Sequence, residues 1–489
     1  MLYCRFAFNL LLIGVIGHAE TLQRSSKPSV GIIGAGVGGS TAAWFLKEEL
    51  GSDVHIDIFE QGEVGGRTQV FQHSDQVFEM GASIIHEENR YFRELADKMG
   101  LARTRLGGDG NEVSIFDGKR FVFNESSWTV VTLYRMLRRY GLSYFYMRQG
   151  PQTMLQRFLK LYALQAEGKA FGTPEDLLQA VDLYKLTQRN FRNEIQDRIG
   201  RSAAADLFAK EFVAGINRIQ YNQGNDINAL AGMVSLLPTI DGRLFKIKGG
   251  NRLLPERLIR AANASLHQDV TVTRVHRTQE GLFTLQYRSS SADELVKGRR
   301  YAAVLVATPL ELTRLEFTGF KVPHMPVRKY QTTVTTLIEG RLRPDYFGVE
   351  ALPRGEYVMV SEDAQTPFSV IGPQKDLPNG LRIYKLFSKQ PLANATVAAI
   401  FANSTVLSSR EWKAYPHFSP PERFPPFQLV PGIYLNNAWE NAASAMEMSA
   451  VAAKNCALLI AQHLRRVASS SNGGLDAADS SMDGAKSEL

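Results

Sequence analysis

The sequence predicts an α/β fold, and three observations carry that expectation. A short apolar strand, "SVGIIG" at residues 29–34, runs into a glycine cluster and then into a helix-like segment ending near Leu46. A second apolar strand, "VHIDIFE" at 54–60, follows one helix later and ends in an acid. Further strand-like runs recur downstream of a long stretch with helical apolar spacing at about 91–244: "DVTVTRVHR" at 269–277, "YAAVLVATPLE" at 301–311 and "GIYLNN" at 432–437. Strands that alternate with helices build a mostly parallel sheet with helices packed on it.

The chain opens with a different kind of segment. Residues 1–20 carry Arg5, an apolar run from Phe6 to Ile16 and the small-residue exit Gly17-His18-Ala19. That is the pattern of a signal peptide spanning 1–19, and the run is too short to cross a bilayer. The mature chain is therefore expected in the secretory pathway. N-glycosylation acceptors at Asn124, Asn263, Asn394 and Asn403 agree with that route. Cleavage after Ala19 removes Cys4 and leaves Cys456 alone on an alanine-rich helix, which predicts a buried, inert thiol and no intramolecular disulfide.

At 489 residues, with 44% hydrophobic and 21% charged, the chain is long enough for two or three packed domains and too apolar for disorder. The net charge of +7 is spread without dense basic blocks, so no nucleic-acid partner is expected.

In the first strand–turn–helix unit, Gly34, Gly36 and Gly39 have G-x-G-x-x-G spacing, with Gly38 inside the cluster. Gly34 permits the sharp turn, Gly36 lets a pyrophosphate approach the backbone, and Gly39 lets helix and strand pack closely. The helix presents free N–H groups and its positive dipole end to the phosphates. Glu60, followed by Gln61, closes the second strand and can accept both hydroxyls of an adenosine ribose, where a 2′-phosphate would be repelled.

A second glycine set follows, Gly65-Gly66-Arg67 and then Gly81-Ala82-Ser83. With it the chain resembles the amine-oxidase-type flavoproteins. That resemblance implies FAD, with the G-G-R segment beside pyrophosphate and flavin, the G-A turn along the ring, and backbone contact to adenine at Val272. It places the C-terminal loop and the helix from about Ala443 at the flavin. Glu440 matches an acidic position there, although the usual F-A-G-E wording is absent, and Met446 and Glu447 are expected as cofactor contacts. No covalent attachment motif stands out, so non-covalent FAD is expected.

Four segments narrow the resemblance: "INRIQYNQGNDINALAGMVSL" at 216–236, "KIKGGNRLL" at 246–254, "WKAYPHFSPPERFPPF" at 412–427 and "AASAMEMSAVAAKNCALL" at 442–459. Together they resemble the prenylcysteine oxidase family. The family implies FAD-dependent oxidation of the thioether of farnesyl- or geranylgeranyl-cysteine by dioxygen and water, yielding cysteine, isoprenoid aldehyde and hydrogen peroxide during breakdown of prenylated proteins. It also implies the lysosome, with secretion or endoplasmic-reticulum retrieval by the terminal Lys-Ser-Glu-Leu as alternatives. Such chemistry needs orientation more than nucleophiles, and no metal motif is present, so none is expected. A flavin amine or polyamine oxidase, and a non-catalytic flavin- or prenyl-lipid-binding protein, are the alternative functions.

The expected organisation is a Rossmann-like FAD-binding domain from 29–90, 245–310 and 431–466, a substrate domain of mixed sheet plus helices from 91–244 and 311–430, and a disordered tail at 467–489. His86 is the candidate for orienting or deprotonating water, and Arg218 for gripping the substrate carboxylate. The proline-rich run 415–431 is expected to cross the surface in extended form. Arg135, Arg138 and Arg139 mark a basic amphipathic face as a candidate peripheral membrane or lipid contact. No obligate protein partner is evident.

Overall fold

Ser29–Ile33 reads as an unbroken apolar run because it is a central strand enclosed on both sides. In the computed structural model, which describes residues 27–107, 112–289 and 292–479, it lies inside a six-stranded sheet. The strand order is Ser265–His267, His55–Phe59, Ser29–Ile33, Ala303–Val306, Ile433–Leu435 and Gln428–Val430. All neighbours run parallel except the last pair. The expected signal segment 1–19 with Cys4, and the terminal Lys-Ser-Glu-Leu, lie outside the described residues.

Helix Val37–Leu50 packs against helix Met446–Asp479, and fully buried alanines (Ala42 and Ala43 on one, Ala450, Ala453 and Ala457 on the other) let the two backbones approach closely. Cys456 is buried on the second helix, and burial raises its thiol pKa, which keeps it inert. That helix begins at Met446 and continues to Asp479, well into the tail expected to be disordered. Ser469 and Ser470 satisfy their hydroxyls by donating to the carbonyls of Arg465 and Arg466, four residues back, so these weak helix formers need not end the helix.

A second layer is a seven-stranded sheet: Phe401–Pro416, Tyr330–Leu342, Arg382–Ser388, Val370–Asp376, Tyr357–Val360, Val113–Phe116 and Phe121–Asn124. Its pairs are antiparallel apart from Tyr357–Val360 with Val113–Phe116. A four-stranded sheet (Ala292–Tyr301, Phe283–Ser289, Val270–Arg277, Glu316–Thr318) flanks the first, and short helices fill 129–241.

The expectation of a surface crossing at 415–431 is corrected here. Prolines keep residues 417–427 out of regular structure, between the strand that ends at Pro416 and the strand Gln428–Val430, but Phe418, Phe424 and Phe427 drop into the core. Glu422 is also buried and accepts from the Asn228 and Asn441 side-chain amides at 3.1 Å each. Among the described residues, no helix is long and apolar enough to cross a membrane.

Candidate functional site

The first turn separates its glycines by role. Gly34 is left-handed, with φ +105°, and a Cβ there would lie 3.0 Å from the Ala307 carbonyl oxygen. A Cβ on Gly39 would lie 1.9 Å from the Gly34 oxygen, so that glycine serves helix–strand packing. Gly38 faces Asn436, whose amide nitrogen would be 2.2 Å from a Cβ, so it seats the C-terminal loop. Gly36 is different. Its φ of −75° suits any residue, and a Cβ would meet nothing closer than the backbone of Gly65 and Gly66 at 3.9 Å. Open space therefore lies in front of a helix whose first-turn N–H groups receive no side-chain cap from Gly36.

Glu60 is fixed beside that turn. One carboxylate oxygen accepts from Ala35 N–H at 2.7 Å and the other from Gly62 N–H at 2.9 Å, while Gln61 is exposed. The Glu60 backbone bonds to His267 and Val270, bringing Val270–Arg277 alongside. Val272 on that strand is buried, and the pairing register slips between it and Arg274.

The second glycine set closes onto the first. Gly65 N–H donates to the Ala35 carbonyl at 3.0 Å, and Gly65 and Gly66 adopt φ +108° and +56°. Residues 80–82 return along 67–69, with Met80 and Ala82 N–H donating to Gln69 and Arg67. A Cβ on Gly81 would lie 1.9 Å from the Arg67 oxygen, so only glycine fits. Ser83 accepts from Lys385 Nζ at 2.8 Å, and the Asn251 amide bonds both Ala82 and Ser83 carbonyls at 3.1 Å.

Arg67 leads into a buried polar knot. Its guanidinium donates to the Glu440 carboxylate and, at 3.0 Å, to the Ala414 carbonyl. Glu440 also accepts from Tyr330 O–H at 2.9 Å, Asn437 Nδ2 at 3.0 Å and Ser444 O–H at 3.2 Å. Burial alone would raise the Glu440 pKa, but Arg67 and Arg328 hold it below the usual carboxylate range. Beside this knot, Tyr221, Trp412, Tyr415 and Phe418 form an edge-to-face aromatic cluster, with ring centroids 4.8–5.9 Å apart.

Several of these residues escape sequence reasoning. Tyr330, Lys385 and Asn251 come from strands and loops remote in sequence, and only Asn251 carried a signal, inside "KIKGGNRLL". Arg410 is another. It points to the Gly66 carbonyl at 3.4 Å, and its buried Nη1 has no hydrogen-bond partner among the described residues.

Three expected roles are corrected by geometry. Glu447 does not face the glycine cradle. Its two oxygens accept the N–H groups of Tyr91 and Phe92 at 2.8 and 2.9 Å, capping helix Arg90–Lys98, and Tyr162 O–H donates at 2.6 Å. Arg218 holds backbone, not an anion site: its guanidinium donates to the carbonyls of Ser361, Glu362 and Ala364 at 2.6, 3.1 and 3.4 Å. His86 is buried, and its Nδ1 accepts from Glu88 N–H at 3.1 Å, which occupies the lone pair a general base would need and so corrects the deprotonating part of its expected role, not the orienting one. Met446, the first residue of its helix, is buried. Of the glycosylation acceptors, Asn263, Asn394 and Asn403 are exposed, and Asn124 is half-buried with its Oδ1 enclosed.

Glu447 yields a pH prediction. Burial pushes its carboxyl up to about 7, against the hydrogen bonds that favour the charged form. A folded-state pKa above the unfolded value gives stability that is fully present below about 4.5 and lost as pH rises through 7. The melting temperature should fall by a few degrees (~3 °C) between pH 5 and 8. Glu447→Gln should flatten that limb, and an unchanged slope would contradict the assignment.

A family model described as prenylcysteine lyase matches residues 123–473, and one described as an NAD(P)-binding Rossmann-like domain matches residues 32–99. The chain belongs to the prenylcysteine lyase family. Prenylcysteine oxidase 1 of Homo sapiens is 31% identical over 474 residues, covering 92% of each chain. Prenylcysteine oxidase 1-like of Homo sapiens is 30% identical over 452 residues, covering 88% of this chain and 89% of the relative. Cyclohexylamine oxidase from Brevibacterium oxydans superposes with a TM-score of 0.56 at 15% identity, over 90% of this chain and all of its own. A triple mutant of putrescine oxidase does so with 0.56 at 14%, over 88% and 98%. The amine-oxidase-like α/β fold expected from the sequence is therefore the fold found.

Proposed function

We propose that this chain is an FAD-dependent oxidoreductase that cleaves the thioether of prenylcysteines with dioxygen and water, releasing cysteine, an isoprenoid aldehyde and hydrogen peroxide. One observation carries the reading: in a member of the prenylcysteine lyase family, two glycine sets meet around an open cradle at a helix N-terminus, with an anchored carboxylate at its side. The cradle fits a dinucleotide. Gly36 leaves room for a pyrophosphate, the uncapped N–H groups and Arg410 supply donors and charge, and Glu60 has lone pairs left for ribose hydroxyls.

Bound there, FAD would supply a two-electron acceptor that dioxygen can reoxidise. Arg67, Gly81, Ala82 and Ser83 would line its inner end, with Arg67 oriented by Glu440. The aromatic cluster of Tyr221, Trp412 and Tyr415 would exclude water from an apolar substrate, and burial keeps the Tyr221 and Tyr415 hydroxyls protonated. Non-covalent attachment is the proposed mode, and the enclosure of Cys456, whose buried thiol lies against the Leu435 carbonyl, supports it. The lysosome is the proposed compartment, and the expected stability at acid pH supports it.

The test is anaerobic mixing with farnesylcysteine while the flavin spectrum is followed. Bleaching, then peroxide and farnesal on admitting air, is expected, and acid precipitation should leave the yellow colour in solution. A flavin that prenylcysteines leave oxidised while putrescine bleaches it would overturn the substrate assignment.

A further inference from the structure

With Arg218 engaged by backbone carbonyls, the amino-acid end of the proposed substrate still lacks a cationic partner. A pair of lysines beside the G-A turn can supply it. Lys385 Nζ donates to Ser83 Oγ at 2.8 Å, and Lys246 lies close enough to repel it. Neither lysine makes an ion pair among the described residues. The acid whose field reaches both is Glu79, and its carboxylate is held elsewhere. Glu79 Oε1 accepts from Asn251 N–H at 2.7 Å, and Oε2 is enclosed with no hydrogen-bond partner among the described residues. Ser83 brings no charge: its proton goes to the Gly81 carbonyl at 3.0 Å, which leaves its lone pairs for Lys385. Two like charges thus share a site where burial already lowers the Lys385 pKa, and an anion bound there would relieve both. Ser83, Lys246 and Lys385 are only half-buried, so part of the cluster stays accessible to a ligand.

The register of the seven-stranded sheet shows which anion suits the position. Leu337 pairs with Lys385, Thr335 with Phe387 and Thr333 with Trp412, with no shift between Thr333 and Leu337. Residues directly opposite each other share a face, as do alternate residues along a strand. Lys385 and Trp412 therefore lie on one face, separated along the strands by four residues, or about 13 Å. Trp412 Nε1 donates to Thr335 Oγ1 at 3.1 Å, which fixes the indole there. Leu337 and Ile383 pack against Phe78 and Met80, which lead into the G-A turn. The face has an aromatic end at Trp412 and a cationic end at Lys385. A molecule with a long apolar tail and one anionic head has the same polarity.

We propose that Lys385, with Lys246 beside it, seats the α-carboxylate of the prenylcysteine, so that the amino-acid head lies at Ser83 and the isoprenoid tail runs toward Trp412. This rests on the prenylcysteine reading and names the residue that selects for its amino-acid end.

The test follows anaerobic flavin reduction against concentration for farnesylcysteine and for S-farnesylcysteamine, the same thioether without the carboxylate. The wild type should reach half-saturation at a roughly tenfold to hundredfold lower concentration of farnesylcysteine, the range for one charge-assisted hydrogen bond. Ligand-induced rises in melting temperature under the same anaerobic conditions should give the same ranking without turnover. Lys385→Met should abolish the difference by weakening farnesylcysteine alone, and Lys385→Arg, which keeps the charge, should restore part of it. Should K385M fail to fold, E79Q/K385M removes both charges, keeps an amide oxygen to accept from Asn251, and should lose the same discrimination. Flavin content and thermal melts show which variants fold. A wild type that saturates equally with both thioethers, or a folded K385M or E79Q/K385M that still prefers farnesylcysteine, would overturn the carboxylate seat and leave the oxidase reading standing. A bound flavin that neither thioether reduces would overturn both.

Discussion

Gly36→Ala is expected to fold normally and to lose most of its FAD. The backbone there already has a conformation open to alanine, and the new Cβ would meet protein atoms only at 3.9 Å. Thermal stability of the apoprotein should stay within ~2 °C of wild type, since the change lies at a helix cap that makes no side-chain bond. The methyl group would instead occupy the space where a pyrophosphate meets the first-turn N–H groups. Losing one charge-assisted hydrogen bond of ~1.5–3 kcal/mol corresponds to roughly tenfold to hundredfold weaker binding. Flavin absorbance per protein and fluorescence titration of the apoprotein check this. Gly39→Ala is the contrast: its Cβ would lie 1.9 Å from the Gly34 oxygen, so it should damage helix–strand packing and stability as well. If Gly36→Ala retained full flavin affinity, the cradle would not be the phosphate site and the proposed function would lose its main support.

That pair of glycines also shows what sequence can reveal. Spacing alone located the turn, because a strand that must reverse into a helix within a few residues requires glycine at fixed offsets. The parallel sheet was legible for the same reason: buried strands have to be continuously apolar. Long-range placement was not legible. Glu447 stands in a helix beside Met446 and Met448 with no local sign that its carboxylate caps Arg90–Lys98, whose partners lie more than 350 residues away in sequence. Arg218 looked like an anion grip because guanidinium groups usually seek carboxylates, yet three backbone carbonyls of the 361–364 turn satisfy it. Lys385 gave no signal either. It is one lysine in an alternating strand, and its position against Ser83 depends on how the seven-stranded sheet packs onto the G-A turn.

Glu440 is where that long-range placement carries the greatest energetic consequence. Every side chain bonded to its carboxylate is a donor: Arg67, Tyr330 O–H, Asn437 Nδ2 and Ser444 O–H. Glu440→Ala should destabilise the protein by ~3–5 kcal/mol, since it leaves the Arg67 charge and three neutral donors without their acceptor in a buried site. The near-isosteric Glu440→Gln should recover little of this, because its amide NH2 would face donors where the carboxylate accepted. Removing the stranded charge should help: in E440Q/R67M, the loss should be smaller than the sum of the two single losses. Urea unfolding of the four proteins measures this coupling directly. The pH dependence gives an independent check. A carboxyl held below its ordinary range contributes stability that is present above about 4.5 and is lost as pH falls through its folded value, so E440Q should show a shallower acid limb. Glu447 acts in the opposite direction, losing its contribution as pH rises through 7. The two carboxyls together should confine greatest stability to mildly acid pH. An E440Q protein that melts like the wild type at every pH would mean that the knot around Arg67 contributes no net stability.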